Sequence, residues 1–361
     1  MVKIMRAFLW QGTDDVQGGK CLVAWNAVQR PLELGGLGVP NITLFSQALR
    51  LRWSWHALTQ PDSISSQFPV VLDKNTLAFF RASVKIELGN GTQIKFWTDP
   101  WIDGHSIQEL APNLVQAVSK IIRKRRNVAE ALHNRSWLRD VTGARTFQVI
   151  AEYITIRQLV DTVQLHQAPD RFSWRWSTDG MFSSSSAYKA FFTGQIAIPG
   201  AKELWKTRAP NKCRFFFWTL LHGRCWTAAR LYRHGLRDNN ICALCSQEAE
   251  DIDHLFLSCV YSREFWFKIL RRCGWQLLTP MAQDCLVDWW LHNRKRIPKP
   301  RRRCFDSITI LITWTLWLER NGRVFRNEQR RPATVLNWFW QELRLWKRAK
   351  LVDWSLLFPG E

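Results

Sequence analysis

The segment "CALCSQEAEDIDHLFLSC", residues 242–259, constrains the fold more than any other part of the sequence. Its soft metal-ligand side chains follow the spacing C-x2-C-x8-H-x4-C, and they are Cys242, Cys245, His254 and Cys259. A tight turn lets two thiolates two residues apart share one ion, and this ligand set favours tetrahedral zinc over magnesium, calcium or manganese. Four protein ligands leave no open position for a substrate or an activated water. The spacing therefore predicts one structural zinc ion.

The loop between the two ligand pairs, "SQEAEDID", is acidic. It contains no basic residue, and its carboxylates are Glu248, Glu250, Asp251 and Asp253. Three thiolates on a divalent ion add further negative charge, so this loop should repel phosphate. We therefore do not expect the zinc loop to contact nucleic acid.

The segment just before the zinc loop has the opposite charge. Residues 205–237 contain no carboxylate, and their lysines and arginines are Lys206, Arg208, Lys212, Arg214, Arg224, Arg230, Arg233 and Arg237. Aromatic residues are interleaved with them, among them Trp205, Phe217, Trp218, Trp226 and Tyr232. A helix pair that is cationic on one side and aromatic on the other can follow a nucleic-acid backbone and stack bases. The alternative is a solvated face over an apolar core.

The overall charge also favours a polyanionic partner. The 361 residues include 51 Lys and Arg against 30 Asp and Glu, a formal net charge of +21, which favours nucleic acid first and an anionic membrane surface second. The N-terminus lacks the apolar core of a signal peptide, and the run "ITILITWTLWL" is shorter than the roughly 20 residues that span a bilayer. We expect an intracellular protein, nuclear or cytoplasmic, whose nine cysteines are free or metal-bound.

The hydrophobic patterns predict an α+β fold that is mainly helical. Leu44, Ala48, Leu51 and Trp55 recur at helical spacing. Two β-hairpins are expected, in "SVKIELGNGTQIKFWTDPWI" with a turn at Asn90-Gly91 and in "FSWRWSTDGMFSSSSAYKAFF" with a turn at Asp179-Gly180. Ser185 or Ser186 should cap the helix that follows the second hairpin. Beyond about residue 202 the pattern is helical, except for "NRKRIPKPRRR", whose prolines and charges predict a linker that cannot pack into a core.

These patterns divide the chain into five predicted segments. They are a loop plus helix at 1–70, a hairpin-containing connection region at 71–183, a zinc-binding domain at 184–275, a basic linker region at 276–303 and a C-terminal helical segment at 304–361. The last segment is expected to have a core of its own.

Several motifs occur together in a fixed order. They are "GGLGVPNITLFSQALRLRWSW", "LGNGTQIKFWTDPWIDG", "FSWRWSTDGMFSSSSAYKAFF", "LWKTRAPNKCRFFFWTLLHGRCWTAARL" and "CALCSQEAEDIDHLFLSC". The ordered set resembles the C-terminal part of plant LINE-type (non-LTR) retrotransposon reverse transcriptases, and residues 184–266 resemble the reverse-transcriptase zinc-binding domain. The resemblance implies the same four zinc ligands, contact with nucleic acid during target-primed reverse transcription, and residues 1–70 as a remnant of the region that follows the polymerase palm.

Catalysis by this chain is not expected. A polymerase or ribonuclease H needs several carboxylates that converge on two metal ions. The only Asp pair, Asp14-Asp15, lies in the glycine-bounded turn "QGTDDVQGG" without the apolar flanks of a palm motif. A second metal site from Cys213, His222, Cys225 and His234 is also disfavoured, because both cysteines lie in apolar helical sequence.

Two functions remain after sequence analysis. The first is a non-catalytic module that binds RNA or single-stranded DNA through the basic helices, with no small-molecule substrate and no membrane partner. The second is a structural or protein-interaction domain that docks on a polymerase body without touching nucleic acid.

Overall fold

The computed structural model describes residues 2–14, 21–60, 71–143 and 146–358. Its α-helices are α1 Val2–Gln11, α2 Trp25–Val28, α3 Ile42–Thr59, α4 Lys74–Ser83, α5 Ile107–Leu110, α6 Pro112–Gln116, α7 Lys120–Arg125, α8 Val128–Leu132, α9 Phe147–Asp161, α10 Ser184–Ala190, α11 Ala201–Lys206, α12 Asn211–Leu221, α13 Ala228–Arg233, α14 Val260–Arg272, α15 Leu286–Arg296, α16 Arg302–Arg326, α17 Pro332–Arg348 and α18 Trp354–Leu357. The strands are β1 Val84–Glu87 and β2 Arg171–Trp174. The mainly helical α+β class is confirmed.

The two strands pair with each other. They form one antiparallel ribbon in which Val84 lies opposite Trp174 and Glu87 opposite Arg171. Strand β1 lies inside the first predicted hairpin segment and β2 overlaps the start of the second. The structure joins them across a long intervening stretch instead of forming two local hairpins.

The loop after β1 explains why the first predicted hairpin does not form. The carboxylate of Asp170 accepts hydrogen bonds from the amides of Gly89 (2.8 Å), Gly91 (2.9 Å) and Gln93 (3.0 Å). These donors would otherwise have been available to a returning strand. The Asn90-Gly91 turn therefore forms, with Gly91 at a positive φ of 70°, but it leads into a loop fixed by Asp170.

The second turn leads directly into a helix. The Trp174 amide donates to the Gly180 carbonyl (2.7 Å), which closes the turn at Asp179-Gly180. Ser183 then caps α10, because its Oγ accepts from the Ser186 amide (3.0 Å) in a capping box. The cap is thus Ser183 and not Ser185 or Ser186, although Ser186 completes the box, and no strand follows the turn.

The chain forms two compact units, Met1–Pro40 with Gly194–Glu361, and Asn41–Thr193. The Asn41–Thr193 unit contains the β-ribbon and two apolar clusters. One cluster surrounds the buried Trp97 and Trp137, and the other surrounds Trp55 and Trp174. In the second cluster α3 packs against α10.

The larger unit has one continuous apolar core. Its largest fully buried aromatic side chains are Phe217, Trp218, Phe256, Trp266, Trp290, Phe305 and Phe339. Helix α16, which is apolar on nearly every side, lies inside this core, as its sequence indicated. Among the described residues no helix combines the length and apolar character needed to cross a bilayer.

The stretch 276–303 packs into the same core. Trp289, Trp290 and Ile297 are buried there, and the Arg301 guanidinium donates to the carbonyls of Leu356 (2.7 Å) and Leu357 (3.3 Å). The prediction of a linker that cannot pack was wrong, because its charges satisfy backbone carbonyls and carboxylates of the unit itself. The segments predicted at 276–303 and 304–361 share this core with most of the zinc-binding segment.

Candidate metal centre

The four predicted ligands converge on one point. Cys242, His254 and Cys259 are buried and Cys245 is half-buried, and their ligand atoms all lie within 4.8 Å of one another. The Cys242 and Cys259 Sγ atoms are 4.0 Å apart, and Cys245 Sγ is 3.4 Å from His254 Nε2. Around a tetrahedral zinc ion, ordinary bond lengths place two sulfurs about 3.8 Å apart and a sulfur and a nitrogen about 3.6 Å apart. The donor set and its spacing fit one zinc ion.

The first ligand pair is built by a closed turn. The Ser246 amide donates to the Cys242 carbonyl (2.8 Å), and Ser246 takes a positive φ of 58° to close the turn. The Leu244 amide points at Cys242 Sγ (3.4 Å), an interaction that favours the thiolate over the thiol. The Cys242 amide in turn donates to the Glu248 carbonyl (2.8 Å), which holds the loop against the turn.

The second ligand pair is built by a single π-helical turn, His254–Ser258. Its hydrogen bond runs from the Cys259 amide to the His254 carbonyl (2.8 Å), five residues back. This wider turn returns Cys259 to the same side of the chain as His254, which matches the spacing H-x4-C.

His254 is oriented by its other ring nitrogen. Nδ1 lies 3.1 Å from the Glu248 carboxylate and 3.5 Å from Ser258 Oγ. A hydrogen bond from Nδ1 to Glu248 leaves Nε2, which faces the cysteines, free to bind the metal. Hydrogen bonding to the Cys242 sulfur raises the pKa of His254 to about 9 against the effect of burial.

Comparison with known proteins agrees with this geometry. Residues 182–266 match the family model described as zinc-binding in reverse transcriptase. These residues thus resemble a reverse-transcriptase zinc-binding domain. The predicted zinc cofactor is thereby confirmed, because the cluster of three cysteines and one histidine is positioned to hold one ion.

The likeness extends beyond the zinc-binding domain. A protein of Arabidopsis thaliana named "Putative ribonuclease H protein" is 26% identical over 359 residues, which cover 90% of this chain and 55% of that relative. The chain thus spans about half the length of the curated relative that it matches. No solved structure matches the chain. The two matches together confirm the predicted resemblance to a retrotransposon-type reverse-transcriptase region.

The acidic residues of the zinc-binding domain have structural partners. Besides Glu248, which faces His254, Asp251 Oδ1 accepts from the His254 amide (2.7 Å) and Asp253 Oδ1 accepts from the Leu286 amide (2.8 Å). Glu250 is fully buried. The loop is therefore less of a solvent-facing negative surface than its sequence suggests.

Glu250 pairs with Arg320 of α16, and both side chains are completely inaccessible to solvent. Arg320 approaches Glu250 Oε1 through Nε (2.9 Å) and Nη2 (2.8 Å). The same oxygen accepts from the Ala228 amide (2.7 Å), and Oε2 accepts from the Ala243 amide inside the first ligand turn (3.3 Å). This pair links the zinc loop to α13 and α16.

Arg323 of α16 holds the ligand turn directly. Its Nη1 donates to the carbonyls of Ala243 (3.2 Å) and Leu244 (3.0 Å), the two residues between the first cysteine ligands. Its Nε donates to the buried carboxylate of Glu319 (2.8 Å). Sequence analysis missed both arginines, and their only signal was positive charge within an otherwise apolar helix.

The basic segment of the zinc-binding domain is distributed around α12. Lys206, Arg208, Lys212 and Arg214 lie before or in its first turn, whereas Arg224, Arg230, Arg233 and Arg237 follow its end. Lys206, Arg208, Lys212, Arg224 and Arg233 are exposed, and the other three are half-buried. The eleven-residue helix separates the two groups by about 16 Å along its axis. The structure therefore yields two basic groups and not one continuous patch.

The aromatic residues of the segment have different environments. Phe217 and Trp218 are completely buried and belong to the core. The Arg230 guanidinium lies over the ring of Trp226 at 4.5 Å, and Tyr232 is 52% exposed. Base stacking is thus excluded for Phe217 and Trp218 in this fold, whereas Tyr232 presents a free ring.

The disfavoured second metal site does not assemble. His222 Nε2 lies 2.9 Å from the Gly35 carbonyl, and His234 packs against Trp226. Burial raises the pKa of Cys213 to about 12 and also raises that of Cys225, as expected for small apolar core residues. Of the suspected Asp pair, Asp14 is exposed and Asp15 lies outside the described residues.

We expect Glu248→Gln to weaken zinc binding about tenfold, the low end for an outer-shell partner of a metal-bound histidine, because Glu248 is largely exposed. Competition with a chromophoric chelator measures the affinity. The control is Glu264→Gln, which neutralises an exposed carboxylate of the same domain whose ion-pair partner is Lys268. Equal affinities for the two variants would contradict the role of Glu248.

Proposed function

We propose that this chain is the non-catalytic zinc-binding portion of a retrotransposon-type reverse transcriptase, and that it binds RNA or single-stranded DNA. The proposed contacts are Lys206, Arg208, Lys212, Arg214, Arg224, Arg230, Arg233 and Arg237. The match to a zinc-binding domain of reverse transcriptases supports the context. The non-catalytic role is supported by the closed set of four metal ligands, which offers substrate no coordination position.

The proposal rests mainly on the lysines and arginines of the basic segment and on their lack of carboxylate partners. None of its eight cations forms an ion pair with a carboxylate in the part of the chain that the structure describes. Partial burial, together with the positive charges of Arg224 and Arg233, lowers the pKa of Arg230. Such clustering of like charge is unfavourable by itself, and a phosphate backbone would relieve it.

Fewer aromatic residues can stack on bases than the sequence suggested. Tyr232 offers an exposed ring next to Arg233, and the Trp226 ring is already covered on one face by Arg230. We therefore expect the phosphate contacts to supply most of the affinity, with base stacking at Tyr232 as an addition.

The test is reversal of three charges, Arg224→Glu, Arg230→Glu and Arg233→Glu, in the full chain. Binding to a single-stranded RNA oligonucleotide should weaken, and the slope of log K against log salt should become shallower by about 2, because each lost phosphate contact on a single strand contributes about 0.7. Electrophoretic mobility shift across a salt series measures both quantities.

The control changes three exposed cations of the other unit to glutamate, Lys74, Arg171 and Lys189. Zinc content and thermal melting show whether each variant is folded. An unchanged salt slope in the folded Arg224, Arg230 and Arg233 variant, relative to this control, would overturn the proposed contacts.

The second candidate function is docking on a polymerase body. It is favoured by helix α1, which exposes Ile4 (54%) and Phe8 (74%). Exposed large apolar side chains on one helix are typical of a surface that is covered by another protein. Absence of salt-dependent binding to RNA and to single-stranded DNA by the wild-type chain would favour this function over the first.

A further inference from the structure

A second basic surface lies on the Asn41–Thr193 unit, which does not contain the zinc ligands. It is formed by α7 and one neighbouring loop residue, and we define the α7 surface as Lys95, Lys120, Arg123, Lys124 and Arg125. Lys120, Lys124 and Arg125 are exposed, and Lys95 reaches the surface from a distant part of the sequence, with Nζ 3.4 Å from the Arg125 carbonyl. The run "KIIRKRRN" thus gains an additional cation in three dimensions.

A second basic run in the chain, "NRKRIPKPRRR", has different surroundings from the run in α7. In "NRKRIPKPRRR" three guanidinium groups bind acceptors of their own unit: Arg294 the Asp306 carboxylate, Arg301 the Leu356 carbonyl and Arg302 the Ile297 carbonyl. Lys295, Arg296, Lys299 and Arg303 of this run are exposed. By contrast, none of the five cations of the α7 surface forms an ion pair with any described carboxylate. Arg123 Nε is shielded from solvent and has no hydrogen-bond partner among the described residues. The two runs look alike in sequence, but the five cations of the α7 surface are without a carboxylate partner among the described residues.

The α7 surface is held rigidly. Ser119 Oγ caps the helix by accepting from the Ile122 amide, and Ile122 packs on the apolar cluster of Trp97. The next residue, Arg126, is fixed to the buried Asp140 carboxylate. The cations are therefore presented on a fixed backbone, which lowers the entropy lost when they bind a ligand.

Neighbouring carboxylates do not neutralise the surface. Asp99, Glu130 and Asp140 lie near it, and none of the three forms an ion pair with a cation of the α7 surface among the described residues. Asp99 accepts from the Lys95 amide (2.7 Å), Glu130 completes the cap of α8, and Asp140 binds Arg126 and the Trp97 indole. Lys120 and Lys124 are one helical turn apart, and the first turn of α7 contains no acidic residue. The repulsion between Lys120 and Lys124 is unfavourable in the unbound protein, and a bound polyanion would relieve it.

We propose that the α7 surface binds the phosphodiester backbone of a nucleic acid, as a contact site additional to the basic segment 206–237. The ligand chemistry follows from the surface: five cations, no exposed aromatic ring and one exposed apolar side chain, Ile121 at 67%. Such a surface positions a backbone without reading bases. A single isoleucine offers too little apolar area for insertion into a lipid bilayer. The inference rests on the proposed nucleic-acid binding of the chain.

The test neutralises three cations, Lys120→Gln, Lys124→Gln and Arg125→Gln, in the full chain. The matched control, Lys74→Gln, Arg171→Gln and Lys189→Gln, removes the same charge from exposed positions of the same unit. With a single-stranded RNA oligonucleotide the α7 variant should show a salt slope about 2 shallower than wild type and an affinity about 10- to 100-fold lower at 0.1 M salt, because three phosphate contacts are lost. The control should lose much less affinity and keep its slope.

The outcomes separate this inference from the proposed function. If wild type binds RNA, and the α7 variant matches the control in slope and affinity while the Arg224, Arg230 and Arg233 variant does not, the α7 inference is wrong and the proposed function stands. If wild type shows no salt-dependent binding to RNA or to single-stranded DNA, both fail. Loss of binding to phosphatidylserine-containing vesicles by the α7 variant, with RNA binding unchanged, would overturn the inference in favour of a membrane contact.

Discussion

Removal of zinc should unfold the whole unit that contains the metal centre, including the C-terminal helices. Sequence analysis suggested that residues past 304 have a separate core and would survive chelation. In the structure, however, Arg320 and Arg323 of α16 bind the zinc loop, and α16 shares one core with α12 and α14. Loss of the ligand turn therefore removes the hydrogen-bond acceptors of Arg320 and Arg323 on a helix at the centre of this unit.

Zinc removal should cost a large share of the free energy of unfolding of this unit. A ligand that binds only the folded state contributes about 4 kcal/mol when its free concentration is 1,000 times Kd. Domains are stable by only about 5–15 kcal/mol. Structural zinc in isolated finger peptides is worth about 10–16 kcal/mol, so a site with four ligands can supply this contribution.

Elemental analysis and hydrogen exchange measure the two parts of this prediction. The wild-type chain should contain one zinc ion, and Cys245→Ser should lose it. With chelator, protection should disappear in α12, α14, α16 and α17, whereas β1 and β2, which belong to the other unit, should keep theirs. Cys285→Ser is the matched control, because Cys285 is exposed and outside the cluster.

Two results would contradict this account. Full zinc content in the Cys245→Ser variant would show that the ligand assignment is wrong. Retention of protection in α16 after chelation would show that the arginine contacts do not couple this helix to the metal centre.

Breaking the buried pair of Glu250 and Arg320 should have the second largest effect. Arg320→Met leaves the Glu250 carboxylate fully buried without its counter-charge, which typically costs about 3–5 kcal/mol. Glu250→Gln should also destabilise the fold, because it leaves the Arg320 guanidinium without a counter-charge. The glutamine still offers an acceptor to the Ala228 amide. The double variant should lose less stability than the sum of the two single variants, since it leaves no unpaired charge.

Chemical denaturation of the zinc-loaded protein measures these differences. The control on the same helix is Arg326→Met, which breaks the pair of Arg326 and Glu328 (3.3 Å), whose side chains are 51% and 46% exposed. Exposed pairs contribute about 0–1 kcal/mol, so this variant should be nearly as stable as wild type. A loss in the Arg320→Met variant no larger than in this control would show that the buried pair does not support the fold.

The sequence alone determined the features that depend on short spacing. Cys242, Cys245, His254 and Cys259 were identifiable because a closed metal site restricts its ligands to turns of a few residues. The helix with Ala48, Leu51 and Trp55 on one face was identifiable because its period is local. Both turns were visible for the same reason, although the strands expected to return from them do not form in the part of the chain that the structure describes.

Only the tertiary structure decided which distant groups meet. Arg320 lies 70 residues from Glu250, and no local pattern in the sequence selects that partner. The pairing of β1 with β2 likewise depended on Asp170, which binds the amides that a hairpin would have used. The two charge runs are similar in composition, but the fold supplies acceptors to Arg294, Arg301 and Arg302 of one run and no carboxylate partner, among the described residues, to the α7 surface of the other. Charge and spacing are properties of a segment, whereas burial and partnership are set by the rest of the fold.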